Sequence, residues 1–486
     1  MRSAAAHSLR FLAVLCLVSA VPAGVFADTI FLKSGRKISA THVTQENGEV
    51  SYETPAGRFS FPASIVDRVT HDDSSPISTA GTPLDRAANL PIAPPSALAA
   101  PSSDVPASPA VRDGSINMDL LSKLESEASA NPTPTAAARV VAAESAAAHF
   151  EISVGDFEQA LAHYDVGLRF DPENEQLLLE DAYLHLKRSE YTAALNLLDR
   201  ARPSDPDSAE IAKLSGWAYY GLNRTSDAVT QWKRAMELKP DEETRHALEK
   251  AERDAQVEIE YHEGETIHFR LKYNGGAAPE LAEEVLKTLE TEFNEISATL
   301  NYDPPEPIGV ILYTNQTFMD ITRAPSWSGA LYDGRIRVPV EGLTSMTDEL
   351  ARVLKHELTH SFVSQKTGGR CPVWLQEGIA QYMEGKRSRI NAESLTAAYE
   401  NHMEFSPLSY ETSWLNLPKD AASNAYAWSL AIVEMIVTVN GMDDLERILE
   451  RLSAGSSTED ALRAVLYEDY SELMLSTVQF LRKAYL

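Results

Sequence analysis

The spacing of apolar and polar residues changes several times along the chain. Residues 28–70 alternate between the two kinds, as at Val50 and Tyr52, and the turn signal Asn47-Gly48 interrupts the alternation. A period of two residues around an Asn-Gly pair is typical of a hairpin in a half-buried sheet. This segment therefore predicts a small β module.

The next segment is rich in proline. Residues 71–140 contain ten prolines among many Ala, Ser and Thr residues. Such a composition buries too little apolar surface to offset the entropy that folding removes, so it predicts an extended tether. Residues 117–128, within this segment, have the apolar spacing of a short helix.

A 34-residue period follows between residues 141 and 256. Within each unit a small residue, a bulky residue and a proline recur in the same order. This pattern resembles tetratricopeptide repeats, in which pairs of helices stack into a solenoid. The resemblance implies a groove that binds peptides or partner proteins; the alternative is that the repeats only support a neighbouring domain. The recurring residues are Ala160, Ala194 and Ala228; Tyr164, Leu198 and Trp232; and Pro172, Pro206 and Pro240.

Residues 257–486 predict a domain of mixed structure. Two hairpins, a buried strand and one amphipathic helix occupy its first part, and helical periods dominate the rest. Strands followed by helices are typical of an α+β domain. The whole chain is thus predicted to be multidomain, with a small β module, an α-helical solenoid and an α+β domain. The predicted elements are the hairpins at 258–273 and 329–340, the helix at 279–300 and the strand at 307–313.

The first 27 residues have the pattern of a secretory signal peptide. Arg2 and Arg10 precede an apolar core at residues 11–21, and a candidate cleavage site ends at Ala27. We therefore expect export, either into a periplasm or out of the cell. The alternative is an uncleaved N-terminal anchor.

The net charge of the chain disfavours two classes of binding partner. The chain carries 71 acidic and 43 basic residues, a formal net charge of −28. Binding to phosphates needs clustered Lys and Arg, so this excess of acid disfavours nucleic acid and anionic membrane surfaces. The best membrane candidate beyond the signal, residues 430–439, carries Glu434 and stops at Asn440. It predicts a buried helix, and we expect no membrane span once the signal peptide is removed.

The sequence LKHELTHSFV, residues 354–363, carries the candidate chemistry. His356 and His360 are four residues apart and share one face of a predicted helix that begins at Thr347. Apolar residues on another side predict that this helix is buried. Buried histidine and glutamate side chains need polar partners, and a zinc ion is one that two such histidines can share.

A third metal ligand is available from the following segment. VWLQEGIAQY, residues 373–382, offers Glu377, 17 residues beyond His360. Two antiparallel helices joined by a loop would bring Glu377 over the histidine pair. The alternative zinc motif, in which a third histidine follows six residues after the second, is excluded because Lys366 stands there.

HELTH followed by WLQEGIAQY resembles the gluzincin metallopeptidases of the thermolysin-like clan. The resemblance covers about residues 257–486. It implies a zinc cofactor, a peptide or protein substrate and a general base at Glu357. It also implies that Tyr426, within NAYAWSLAIVEMI, stabilises the oxyanion; the alternative is a core aromatic residue. The implied zinc ligands are His356, His360 and Glu377.

Two departures from the family pattern affect the expected activity. The Gly-x-Met-Glu-Asn element by which related aminopeptidases hold a free N-terminus is absent, so an endopeptidase is favoured. Gln381 stands where thermolysin-like enzymes carry an acidic residue. A histidine ligand must therefore find its supporting hydrogen bond elsewhere.

Three further features have purely structural alternatives. The hairpin at 329–340 offers an edge to which an extended peptide can add as a strand, or it is a plain structural hairpin. Cys371 lies six residues before Glu377, where it could ligate or inhibit, but a loop thiol is favoured. The histidines of the repeats are expected on helix surfaces; they are His149, His163 and His185.

The combined prediction is an exported zinc metallopeptidase whose repeats bind a protein partner. One alternative is an adaptor whose repeats bind and whose protease-like domain is catalytically inactive. The intact motif residues argue against it, because an inactive relative is expected to lose at least one of them. A zinc hydrolase that acts on a non-peptide bond is the other alternative.

Overall fold

The computed structural model divides the chain into two compact units, Met1–Ala80 and Gly81–Leu486. Residues 1–25 of the predicted signal peptide and residues 77–109 of the predicted tether lie outside the described part of the chain. The described residues are 26–32, 37–46, 49–54, 57–63, 66–76, 110–112, 115–274, 279–314, 331–332, 334–340, 343–401, 406–411 and 419–486.

The first unit contains a sheet of five antiparallel strands. They are β1 (Phe26–Leu32), β2 (Lys37–Glu46), β3 (Glu49–Thr54), β4 (Gly57–Pro62) and β5 (Val66–Pro76), in the order β4-β3-β2-β1-β5. Glu46 pairs with Glu49, so β2 and β3 form the predicted hairpin, although its turn residues lie outside the described part. Phe26 and Ala27, the last residues of the predicted signal peptide, belong to β1.

The second unit begins with a two-stranded hairpin and eight helices. Helix α1 matches the predicted short helix, and α2 begins inside the segment predicted as a tether. Thr133 caps α2, and Pro134 occupies its first position, where a missing N–H does no harm. The elements are β6 (Val111–Arg112), β7 (Ser115–Ile116), α1 (Met118–Ala130), α2 (Pro134–Val154), α3 (Phe157–Phe170), α4 (Glu175–Lys187), α5 (Tyr191–Ala201), α6 (Ala209–Gly221), α7 (Thr225–Leu238) and α8 (Glu242–Glu258).

Helices α2 to α7 form three stacked pairs, and α8 closes the stack. The small and bulky residues that recur every 34 positions fill its core: the three alanines are fully buried, and so is Trp232. The recurring prolines are exposed. Close packing also explains Gly216, because a Cβ added there would lie 2.3 Å from Nε1 of Trp232. The predicted helical solenoid is confirmed.

The histidines of the repeats are paired with carboxylates. His163 Nδ1 lies 2.7 Å from Glu144, and His163 is only 9% exposed. The expectation of a surface position is therefore wrong for His163. The buried carboxylates of Glu144 and Glu180 need a donor, and histidines on other helices supply it. The other two pairs are His149 with Glu180 at 3.0 Å and His185 with Glu190 at 2.5 Å.

A five-stranded mixed sheet and eight helices make up the rest of the second unit, within the described residues. The strand order is β11-β12-β10-β9-β8, with β9, β10 and β12 parallel and the two outer strands antiparallel to their neighbours. The elements are β8 (His262–Glu265), β9 (Phe269–Tyr273), α9 (Pro279–Leu300), β10 (Ile308–Tyr313), β11 (Leu331–Tyr332), β12 (Ile336–Pro339), α10 (Asp348–Lys366), α11 (Val373–Met383), α12 (Ala392–Glu400), α13 (Lys419–Met435), α14 (Met442–Ser453), α15 (Thr458–Val465) and α16 (Tyr470–Tyr485).

The two faces of this sheet meet different partners. Ile336 and Val338 of β12 join the apolar core that α9 and α10 complete. Arg337 and the preceding Arg335 point to the opposite face, as a period of two requires. Both arginines are nevertheless at most 1% exposed, because the repeats cover that face.

Among the described residues, one helical stretch, Ala421–Asn440, is long and apolar enough to cross a membrane by length and composition alone. Most of it, 61%, is buried inside the protein. Its Glu434 accepts hydrogen bonds from the Ser388 backbone N–H at 2.7 Å and from the Tyr485 hydroxyl. The stretch is a core helix, as its sequence predicts.

Helices α11 and α13 touch at a glycine. A Cβ added to Gly378 would lie 2.3 Å from the Ser429 backbone oxygen and 2.6 Å from Val433 Cγ2. The nearer atom belongs to the backbone and cannot rotate away. Any larger residue must therefore separate the two helices.

We predict that Gly378→Ala lowers the free energy of unfolding by about 1–3 kcal/mol, the usual cost of overpacking a core. Chemical denaturation measures this change. Replacing Val433 by Ala in the same chain should not restore stability, because the clash with the Ser429 carbonyl persists. Full stability of Gly378→Ala would contradict the close contact of α11 with α13.

A second prediction concerns pH and the repeats. Burial raises the pKa of Asp181 from an ordinary 3.8 to about 6, against the opposing charges of His185 and Arg200. The folded state therefore binds this proton more tightly than the unfolded state. The resulting stabilisation is complete below about pH 3.8 and is lost as the pH rises through about 6.

Asp181→Asn mimics the protonated side chain and keeps an acceptor for His185. We expect this variant to melt at a higher temperature than the parent chain above pH 7, and the difference to shrink towards pH 4. Asp199→Asn, at an exposed carboxylate on α5, is the matched control. A difference between Asp181→Asn and the parent that is independent of pH would contradict this account.

Candidate metal centre

The motif helix α10 begins and ends where its sequence predicts. The Thr347 side chain accepts the Leu350 N–H at 3.1 Å, and Asp348 and Glu349 lie in the first turn, where the helix dipole favours acids. The chain leaves the helix after Lys366 through two glycines with positive φ. Helix α10 packs against α11, which starts directly after Pro372.

The packing of α10 against α11 brings three candidate ligand atoms together. His356 Nε2 and His360 Nε2 are 3.1 Å apart. The Glu377 Oε2 atom lies 3.5 Å from the former and 3.4 Å from the latter. All three residues are buried, and they form the one group of potential metal ligands found among the described residues.

These separations fit a tetrahedral zinc ion. With zinc–ligand bonds of about 2.0–2.1 Å, tetrahedral geometry places neighbouring ligand atoms about 3.3 Å apart. The three observed separations, 3.1, 3.4 and 3.5 Å, lie around this value. Two imidazoles and one carboxylate are also a donor set that catalytic zinc sites use. The donor set and its spacing therefore fit zinc.

The electrostatic environment also favours a cation. Burial alone lowers the pKa of His356, but the carboxylates of Glu377 and Glu384 outweigh burial and raise it to about 10. The carboxylate of Glu357, 1% exposed, adds to this effect. The negative potential that stabilises a proton here would also stabilise a divalent metal ion.

The structure identifies a supporting residue that the sequence did not. The Nδ1 atom of His356 donates to Glu384 Oε1 at 3.2 Å, and Lys386 Nζ donates to the same oxygen at 2.7 Å. Although burial alone would raise the pKa of Glu384, these two partners lower it. A carboxylate on the far nitrogen orients a ligand histidine and fixes its tautomer.

Glu384 follows Glu377 by seven residues, which is two helical turns. This spacing places both carboxylates on one face of α11. It is the sequence feature from which a position of Glu384 near the histidines could have been predicted. Gln381 has a different role: its side chain donates to the backbone oxygens of Glu377 and Tyr426, both at 3.1 Å. It ties α11 to α13.

The remaining candidates occupy distinct positions. Tyr426 is 7% exposed in α13, and its backbone lies against α11 through Gln381; a role for its hydroxyl stays a prediction. Cys371 is buried in the core, and the group of ligand atoms among the described residues does not include it. The predicted hairpin is confirmed: Leu331 pairs with Arg337 in β11 and β12.

Two known protein families match parts of this chain. Residues 294–481 match the Peptidase MA superfamily, and residues 151–218 match a tetratricopeptide repeat family. The chain thus contains a domain of the first kind and repeats of the second. A search of curated proteins found no match.

Several solved structures resemble part of the chain. The first TPR of Spaghetti (RPAP3), bound to an HSP90 peptide, is 19% identical, with 24% of this chain and 93% of that one covered and a TM-score of 0.23. The Arabidopsis OM64 TPR domain is 16% identical; the match covers 22% of this chain and 96% of that one, with a TM-score of 0.20. MamA from Desulfovibrio magneticus RS-1 is 17% identical; the match covers 30% of this chain and 87% of that one, with a TM-score of 0.24.

The arrangement predicts an effect of Glu384 on metal affinity. Glu384→Gln keeps the size of the side chain but removes the charge that orients His356. We expect zinc affinity to fall about 10- to 100-fold, the usual effect of losing such a partner. Competition with a chelator of known affinity measures this change. Glu400→Gln, at an exposed carboxylate paired with Arg482, is the control, and equal affinities in the two variants would refute the assignment.

Proposed function

We propose that this chain is an exported, zinc-dependent endopeptidase. The match to the Peptidase MA superfamily indicates a protease-like function. The observation that carries the proposal is the buried triangle of His356 Nε2, His360 Nε2 and Glu377 Oε2, with sides of 3.1–3.5 Å. Residues 1–27 serve as the signal peptide in this proposal.

Each residue then has a defined task. His356, His360 and Glu377 hold the zinc ion, which when bound supplies Lewis acidity and a water of lowered pKa. Glu357 follows the first ligand in the sequence, and its carboxylate takes the proton of the attacking water. It then gives this proton to the amine that leaves.

Two further groups act on the substrate. The Tyr426 hydroxyl donates a hydrogen bond to the oxyanion that develops on the scissile carbonyl. The hairpin of β11 and β12 binds an extended stretch of the substrate, which adds to β11 as a further strand. The absence of a Gly-x-Met-Glu-Asn element favours cleavage within a chain rather than at its N-terminus.

The repeats bind a protein in this proposal, either a partner or the substrate itself. Repeats of this kind indicate protein–protein interaction. An adaptor with an inactive protease-like domain is the competing function. It differs in one measurable respect, because it binds proteins but never turns a peptide over.

Zinc content and peptide turnover together test the proposal. We expect one zinc ion per chain by elemental analysis of freshly purified protein, and loss of the metal in Glu377→Ala. Glu357→Gln should keep its zinc but lose about 10²- to 10⁴-fold in turnover of a casein-type substrate, since general-base catalysis contributes that much. Chelation should abolish turnover, and added zinc should restore it.

Zinc-free protein after purification would overturn the metal assignment. Full zinc without turnover of any peptide would favour the adaptor. A fully active Glu357→Gln would show that another group accepts the proton.

A further inference from the structure

The two buried arginines of the sheet bind to the repeats. Arg335 and Arg337 are 0% and 1% exposed, and each lies within hydrogen-bond distance of Asp254 in α8. Burial of a charge without a counter-ion is very costly, so this part of the sheet depends on a residue of the repeats.

Asp254 is the centre of the contact. Arg337 binds it with two parallel hydrogen bonds, Nη1 to Oδ1 at 3.0 Å and Nη2 to Oδ2 at 2.8 Å. This bidentate geometry fixes orientation as well as distance. Burial alone would raise the pKa of Asp254, but the two guanidinium groups outweigh it and hold the pKa well below its usual range. The carboxylate therefore stays ionised.

Tyr220 of α6 completes the contact. Its hydroxyl donates to Asp254 at 2.7 Å and accepts from Arg335 at 2.8 Å and from Arg337 at 3.0 Å. The guanidinium of Arg335 also lies 4.4 Å above the Tyr220 ring, a favourable cation–π distance. One hydroxyl thus links both arginines to the carboxylate.

A second ion pair borders this group. Glu258, four residues after Asp254 in α8, accepts from Arg335 at 2.9 Å and from Lys272 of β9 at 3.0 Å. The neighbouring strand is shaped for close contact, because a Cβ added to Gly309 of β10 would lie 3.1 Å from Asn223 Cγ of the repeats. Strands β9, β10 and β12 therefore all contact the repeats with the same face of the sheet.

The contact reaches the candidate peptide-binding edge through one strand. Leu331 of β11 pairs directly with Arg337, and Tyr332 pairs with Ile336. Among the described strands β11 pairs with β12, so a shift of β12 is passed directly to β11. Helix α10, which carries His356 and His360, packs against both strands of this hairpin.

We propose that Asp254 is a positioning residue for peptide binding. Through Arg335 and Arg337 it fixes β12, and through β12 it fixes the strand β11, which packs against the helix that carries His356 and His360. In this proposal the repeats position the peptide-binding hairpin of the peptidase domain, and they can bind a protein partner as well. The role of Asp254 in peptide binding rests on the function proposed above. Its role in holding the hairpin of β11 and β12 in place is independent of that function.

The test compares two buried carboxylates of the repeats. Asp254→Asn removes the charge that binds the arginines. The matched control is Glu180→Gln, because Glu180 is 4% exposed and bonds to His149 and Gln176 within the repeats. Tyr220→Phe is a milder variant of the same contact, and it keeps the test open if Asp254→Asn fails to fold.

We expect Asp254→Asn to raise the KM for an extended peptide roughly 3- to 30-fold, the range typical of energetic coupling through a packed network. Tyr220→Phe should raise KM less. Zinc content and kcat should stay at parental values in both, and Glu180→Gln should leave KM unchanged. A fall in kcat or zinc content with an unchanged KM, or an equal rise of KM in Glu180→Gln, would overturn the positioning role.

Amide hydrogen exchange over residues 331–340 gives a readout that needs no activity. Faster exchange there in Asp254→Asn and Tyr220→Phe, but not in Glu180→Gln, supports the link between Asp254 and the hairpin. Unchanged exchange in both contact variants would refute that link even if the protein is a peptidase. A parent chain that hydrolyses no peptide would instead refute the proposed function, and the exchange result would still decide whether Asp254 fixes the hairpin.

Discussion

Buried charge is the constraint on which this structure depends. Between α10 and α11, the side chains of two histidines and three carboxylates lie almost completely out of water. Such a group is stable only if charges of the other sign compensate it. Within the chain, Lys386 supplies one positive charge at Glu384, and a bound divalent cation would supply two more. The same constraint acts on the other face of the sheet, where Asp254 and Glu258 compensate two arginines.

Helix geometry and one close contact place the ligands. His356 and His360 share a helix face because they are one turn apart. Glu377 depends on a tertiary contact: Gly378, its neighbour, allows α13 to touch α11, and Gln381 bonds across to α13. The metal site is therefore coupled to the packing of a core helix, so a change far from the histidines can alter their ligand geometry.

The sequence predicted the elements whose signals are local. The 34-residue period arises because each helix pair must bury a small and a bulky residue against the next pair, so it marked the solenoid directly. Thr347, His356 and His360 likewise marked the start and the face of α10. The predicted third ligand, Glu377, lies over the histidines as expected.

Features that depend on distant partners were beyond sequence reasoning. The alternation Arg335, Ile336, Arg337 is typical of a strand with one solvated face, and only the repeats, more than 70 residues away, turn that face into a buried one. His163 was expected on a surface because nothing in its own helix shows that Glu144 lies beside it. The helical period places Glu384 on the same face of α11 as Glu377. Its hydrogen bond to His356 could not be predicted, because the position of His356 Nδ1 depends on the packing of α10 against α11.

The most direct measurement is anomalous X-ray scattering from crystals of the purified protein, recorded on both sides of the zinc absorption edge. We predict one strong peak that appears only above the edge. It should lie about 2.0–2.2 Å from His356 Nε2, His360 Nε2 and a Glu377 carboxylate oxygen. A zinc peak elsewhere, or zinc-soaked crystals without a peak among these three atoms, would contradict it.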